Sequence, residues 1–125
     1  MKRILWYWLP PLALMGLIFF LSAQPDLPHA PGSWLDMVVK KTGHAFAFGL
    51  LAWLYIRGLG AYLENGRVAR PLGAALAVLY AISDEYHQTF VPGRHGRLLD
   101  VLIDCFGVGV AFSVSLWLAR RRAHR

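Results

Sequence analysis

Residues 4–23 hold twenty consecutive positions without a charged side chain. A helix needs about 20 mostly apolar residues to cross the hydrocarbon of a bilayer. This run therefore does more than any other feature to limit what the chain can become. Three further stretches approach the same length, at residues 44–63, 71–90 and 98–119. The second contains Arg57, the third is cleanly apolar only in its first half, and the fourth carries Asp100 and Asp104 near its start. Hydrophobic types make up 57% of the 125 residues and charged types 16%. A water-soluble domain averages roughly a quarter charged residues, and one this small has too much surface to hide so much apolar material. Disorder is excluded for the same reason, because it requires low hydrophobicity. The expectation is an all-α fold, a four-transmembrane-helix bundle that forms a single integral membrane domain over residues 1–125.

Lys2 and Arg3 ahead of an apolar run resemble the start of a secretory signal. The run is longer than a signal core, and Leu21-Ser22-Ala23 lacks the small first residue of a cleavage site. Trp6, Tyr7 and Trp8 read as an interfacial aromatic anchor. An uncleaved first helix is expected. Between the spans lie a proline-rich loop at 24–41, a polar turn at 64–70 and a Pro-Gly turn at 91–97, with the punctuation that turns need. With the N-terminus inside, the inner side receives eight Lys and Arg residues (2, 3, 67, 70, 120, 121, 122 and 125). The outer side receives four, Lys40, Lys41, Arg94 and Arg97. The positive-inside rule then places both termini in the cytoplasm, and Arg57 snorkels to the inner interface. The net charge of +6 is orientation and lipid contact, not a nucleic-acid patch. Cys105 is a lone thiol in an apolar run and forms no internal disulfide.

On this topology the remaining polar residues collect at the outer end. Ser22 and Gln24 close span one there, Lys41 and His44 open span two, and Asp84, Glu85, His87 and Gln88 end span three. Asp100 and Asp104 open span four from the same side. Asp84, His87 and Gln88 share a helical face, which continues inward through Tyr80, Ala77 and Gly73. Asp100, Asp104, Gly107, Ala111 and Ser115 form a second stripe. Small residues mark faces where helices approach closely, and ionisable groups in hydrocarbon face a bundle interior or a cavity. One polar pocket is expected, formed by spans two, three and four and open to the outer surface. Its ligand-binding candidates are Lys41, His44, Asp84, Glu85, His87, Gln88, Arg94, Asp100 and Asp104, and its candidates for proton transfer are His44, Asp84 and Glu85. Each has a plainer reading: Lys41 as an interfacial anchor, His44 as a bundle hydrogen bond, Asp100 as a helix cap or dipole partner. His29 and His95 lie in loops with no special claim. No strict metal-ligand spacing is present, so neither metal nor cofactor is expected.

At these residues the sequence resembles the VanZ-like family of small bacterial membrane proteins. The resemblance rests on Ser83-Asp84-Glu85-Tyr86-His87-Gln88, then Phe90-Val91-Pro92-Gly93-Arg94, then Asp100-Val101 through Gly107, with Lys41-Thr42-Gly43-His44 and Phe46 upstream. It covers roughly residues 41–107. Asp104 departs from the pattern, which usually has asparagine there; an extra carboxylate changes the pocket's affinity for cations and protons. The resemblance implies a multi-pass protein of the bacterial inner membrane acting near the cell envelope, in a family named for a member linked to teicoplanin resistance. Three functions are compatible with the residues. One is binding of an envelope ligand or lipid head group, with Lys41 and Arg94 on its anionic groups. The second is acid–base or metal-assisted catalysis on a lipid-linked envelope substrate. The third is proton-coupled export, which calls for a carboxylate near the midplane and access from both sides; the acids instead lie high in the outer half. The partners expected are membrane lipids and an envelope lipid or lipid-linked substrate, and no nucleic acid.

Overall fold

A computed structural model describes residues 1–24 and 34–125. They form four helices in chain order: α1 (Lys2–Ser22), α2 (Trp34–Gly60), α3 (Gly66–Gln88) and α4 (Leu98–Ala123). Among the described residues there is no β-strand. The all-helical expectation is met, and α1 and α4 are long and apolar enough to cross a membrane. α2 and α3 have the length, but their carboxylates, histidines and arginines lower the apolar average. Helix α4 begins where span four was expected and runs four residues further, into the arginine tail.

The largest correction concerns the loop expected at 24–41. Residues 25–33, including His29, lie outside the described residues, but α2 is already helical at Trp34. No proline or glycine occurs between Ser33 and Gly43 to stop it. Asp36 in the first turn suits the positive end of the helix dipole, and it pairs with Lys40 one turn on at 3.0 Å. The polar turn expected at 64–70 is also shorter. The Asn65 side chain accepts the Arg67 backbone N–H at 3.0 Å and starts α3 at Gly66. The turn after α3 passes through Gly93, whose φ of 77° is the left-handed backbone that glycine adopts freely.

Packing is inverted relative to a soluble bundle. The core holds Phe48, Leu51 and Ala52 of α2, Ala77 and Ala81 of α3, and Val108 and Ala111 of α4. Many large apolar side chains instead point outward, among them Leu12, Phe20, Leu79, Phe106 and Trp117. Phe48 and Leu51 apart, small residues line the buried faces of α3 and α4 while large ones point outward, the arrangement of helices that meet in hydrocarbon. The buried stripe of α3 runs Gly73, Ala77, Ala81, Asp84, Gln88, and that of α4 runs Asp104, Gly107, Ala111, Ser115. Both follow the periodicity read from the sequence.

Helices α2 and α4 run parallel and touch by backbone. A Cβ added to Gly107 would collide with the Ala45 carbonyl, and one on Gly49 would lie 2.8 Å from the Gly107 carbonyl oxygen. The opposite ends of the helices are tied by arginines. Arg57 lies over the Tyr7 and Trp6 rings at 4.9 and 5.4 Å, and Arg3 donates to the Ala61 carbonyl at 2.6 Å. Gly107→Val should force α2 and α4 apart and destabilise the fold by at least about 2 kcal/mol. Gly109→Val, where a Cβ meets open space, should leave the melting temperature near wild type. Thermal unfolding of the detergent-solubilised proteins checks the pair, and equal melting of Gly107→Val and wild type contradicts the close contact.

Candidate functional site

The polar ends of α2, α3 and α4, with the 93–97 turn, enclose a cavity of about 260 Å³. It is lined by Lys41 and His44 from α2, Glu85 and Gln88 from α3, Asp100 and Asp104 from α4, and Arg94 from the turn. Seven of the nine expected ligand-binding residues therefore meet in one place. The spacing explains how. α2 and α4 run parallel from this end, so Lys41 meets Asp100 and His44, one turn deeper, meets Asp104. The first pair forms a salt bridge. In the second, His44 Nδ1 stands 3.6 Å from Asp104 Oδ1, beyond hydrogen-bond reach.

The remaining two residues face elsewhere. Asp84 is buried against α1, where the Ser22 hydroxyl donates to its Oδ2 at 2.8 Å and the Gln88 amide at 3.2 Å. The His87 ring stacks on Phe19 of α1 with centroids 4.6 Å apart. These contacts split the expected single site into a pocket among α2, α3 and α4 and a hydrogen-bonded seam between α1 and α3, with Gln88 in both. Lower in the same seam, Tyr80 Oη donates to the Met15 carbonyl at 2.7 Å. Arg94 supports the seam as well as the pocket. Its Nε and Nη2 donate to the Gln24 and Leu21 carbonyls at 2.9 and 3.3 Å, satisfying acceptors that the end of α1 leaves open.

Within the pocket most charged groups have internal partners. Glu85 Oε1 accepts the Arg97 backbone N–H at 2.8 Å, which fastens the start of α4 to the end of α3. Asp100 is not the cap of α4, a position held by Arg97; it lies in the first turn and takes Lys41. Asp104 differs. It is 1% exposed, and neither carboxylate oxygen accepts a hydrogen bond. A buried acceptor without a donor costs about 1–3 kcal/mol, and more when charged. Among the described residues, no three His, Cys, Asp or Glu side chains converge as a metal site. Asp36, Lys40, His95 and Arg97 also line the cavity. Asp36 was hidden by the loop expectation. His95 is brought in by the turn around Gly93, and no sequence spacing signals that.

Ser22→Ala should remove the donor that Asp84 receives from α1 and cost about 1–3 kcal/mol. Denaturant titration in detergent checks this, with unchanged stability counting against the seam.

Comparison with known proteins places the chain in a family. The family model described as VanZ/LLP1 matches residues 7–119. The chain is also 31% identical over 87 residues to the "Uncharacterized membrane protein YwnJ" of Bacillus subtilis. That alignment covers 70% of this chain and 55% of the relative, so the chain spans about half the length of the curated protein it matches. No solved structure matches. The family match takes in α2, α3, most of α1 and α4, and every residue of the pocket and the seam, and the chain belongs to the VanZ/LLP1 family.

Proposed function

We propose that this chain is a four-span protein of the bacterial inner membrane, with both termini in the cytoplasm, whose outward-facing pocket binds a polar envelope ligand or lipid head group. The observation that carries the reading is Asp104. A buried carboxylate with no donor, beside a cavity walled by charged side chains, is a site short of a donor-bearing group. A hydroxyl or protonated amine supplied by a ligand would remove that deficit. The neighbouring pairs, Lys41 with Asp100 and Glu85 with the Arg97 amide, hold the walls in place, so the pocket is preorganised. The membrane assignment draws support from the two apolar helices, from the outward-facing large side chains, and from the description of the Bacillus relative as a membrane protein. The topology draws support from the segregation of charge. The arginines of the α4 tail, Arg57 and Arg3 lie at the opposite end of the helices from the pocket. Residence at the outer face makes an envelope component the natural ligand, and a role in the response to glycopeptides is consistent with the family's name.

A second reading has one specific observation behind it. His44 lies 3.6 Å from Asp104, the kind of pair that orients a histidine for proton transfer. Closure of that gap on a bound substrate would turn the pocket into an acid–base site on a lipid-linked substrate.

Two measurements test the proposal. Reporters fused to each terminus should show alkaline phosphatase inactive and a fluorescent protein bright, whereas phosphatase activity at either end overturns the topology. Phosphoethanolamine, a soluble head group with amine donors, should raise the melting temperature of the wild-type protein by mass action. It should leave Asp104→Asn unmoved. Equal shifts in both proteins remove Asp104 from the site.

A further inference from the structure

A second cavity, of about 410 Å³, lies between α1 and α2. Its upper wall is polar, with Ser22, Gln24 and Arg94, and its lower wall is apolar, with Ile18, Ala47 and Phe48. Lys40, His44 and Arg94 line both this cavity and the polar pocket, so the two share a wall of cationic and imidazole side chains. On α1 the lining steps inward from Ser22 through Leu21 to Ile18, with Gln24 just past the helix end, and on α2 from Lys40 through Gly43 to Ala47. Along α2 the cleft therefore runs for about 10 Å at 1.5 Å per residue, moving from polar to apolar as it descends. Gly43 widens it: a Cβ there would meet nothing within 4 Å.

A polar chamber joined to an apolar cleft matches a molecule with a head and a chain. The chamber also specifies the head. Asp104 lacks a donor, which an ammonium group supplies, and the Arg94 guanidinium on the shared wall is the group suited to a phosphate. We propose that the ligand of the pocket is an amine-bearing phospholipid of the phosphatidylethanolamine type, whose acyl chain enters from the side and lies in the cleft between α1 and α2. This rests on the pocket reading above and extends it from head group to whole ligand. The head lies over Asp104 with its phosphate toward Arg94, and the chain passes His44 and Gly43 toward Ile18 and Ala47.

The test uses phosphatidylethanolamine with a diazirine in its acyl chain, incorporated with the full-length protein into phosphatidylcholine nanodiscs. Photolabelled peptides are then mapped by mass spectrometry. Labels should fall on the cleft, around Leu21, Gly43 and Ala47, and soluble phosphoethanolamine should compete them away. Gly43→Leu, whose side chain takes up space that the acyl chain would occupy while its Cβ meets nothing within 4 Å, should lose the cleft labelling. Gly109→Leu, at another open position, should label as wild type. If phosphoethanolamine stabilises the protein but labels scatter over the outer surface and ignore Gly43→Leu, the chain path is wrong and the pocket reading stands. If diazirine phosphatidylglycerol labels the cleft equally well, the amine assignment fails. If neither head group nor lipid binds, both readings fall.

Discussion

The backbone contact between Gly107 of α4 and Ala45 of α2 sets the spacing on which the polar end of the molecule depends. Two parallel helices approach this closely only where neither presents a side chain, and the contact at Gly49 extends it by a turn. Because the helices are parallel and held in register there, the residues above them meet in order. His44 comes to Asp104, and Lys41 comes to Asp100. Had the helices been separated by a larger residue, the same four side chains would face lipid or water singly. The charged groups thus depend on an uncharged contact within two turns below them.

That dependence follows from the solvent. In a bilayer, apolar side chains gain nothing by leaving lipid for one another, so close packing and polar bonds must hold helices together. The chain keeps to that rule at both levels. Alanine and glycine fill the buried stripes of α3 and α4, while Phe106, Leu79 and Phe20 face outward. Polar contacts join the helix ends: Ser22 to Asp84 between α1 and α3, Glu85 to the Arg97 amide between α3 and α4, and arginines over aromatic rings at the other end. Asp84 Oδ1 and His87 Nδ1 also lack a partner, but Asp104 is the buried carboxylate with neither oxygen bonded among the described residues, and it stands beside the cavity.

Much of this was legible in the residue order, and the reason is periodicity. A helix repeats its faces every 3.6 residues, so the stripes ending in Asp84 and Gln88 and beginning at Asp100 and Asp104 are legible in the sequence. The grouping of polar residues at one end followed from counting spans and basic residues. The division of that group could not be read in the same way. Asp84 and Glu85 are adjacent in sequence, yet Asp84 turns to α1 and Glu85 to the pocket, because neighbouring helical side chains differ in direction by about 100°. Which of the two meets which neighbour depends on where α1 packs. The start of α2 is obscured in the sequence for a local reason. Three prolines and Gly32 before Ser33 give the whole connection the look of a loop and mask the helix-favouring Asp36–Lys40 pair.

Composition, hydrophobic run length and helical phase decide that the chain is all-helical, which side of α3 and α4 is buried, and that its acids gather at one end. The gathering holds for most of the acids, Glu64 lying at the other end, and the physics behind all three properties is local: hydrogen-bonded turns and the partition of side chains between polar and apolar surroundings. The tertiary structure alone decides that Asp84 finds Ser22, that Lys41 finds Asp100 and that Asp104 is left without a donor. Those outcomes depend on distances between helices, fixed by glycine contacts and by the seating of α1, and no spacing within one segment encodes them.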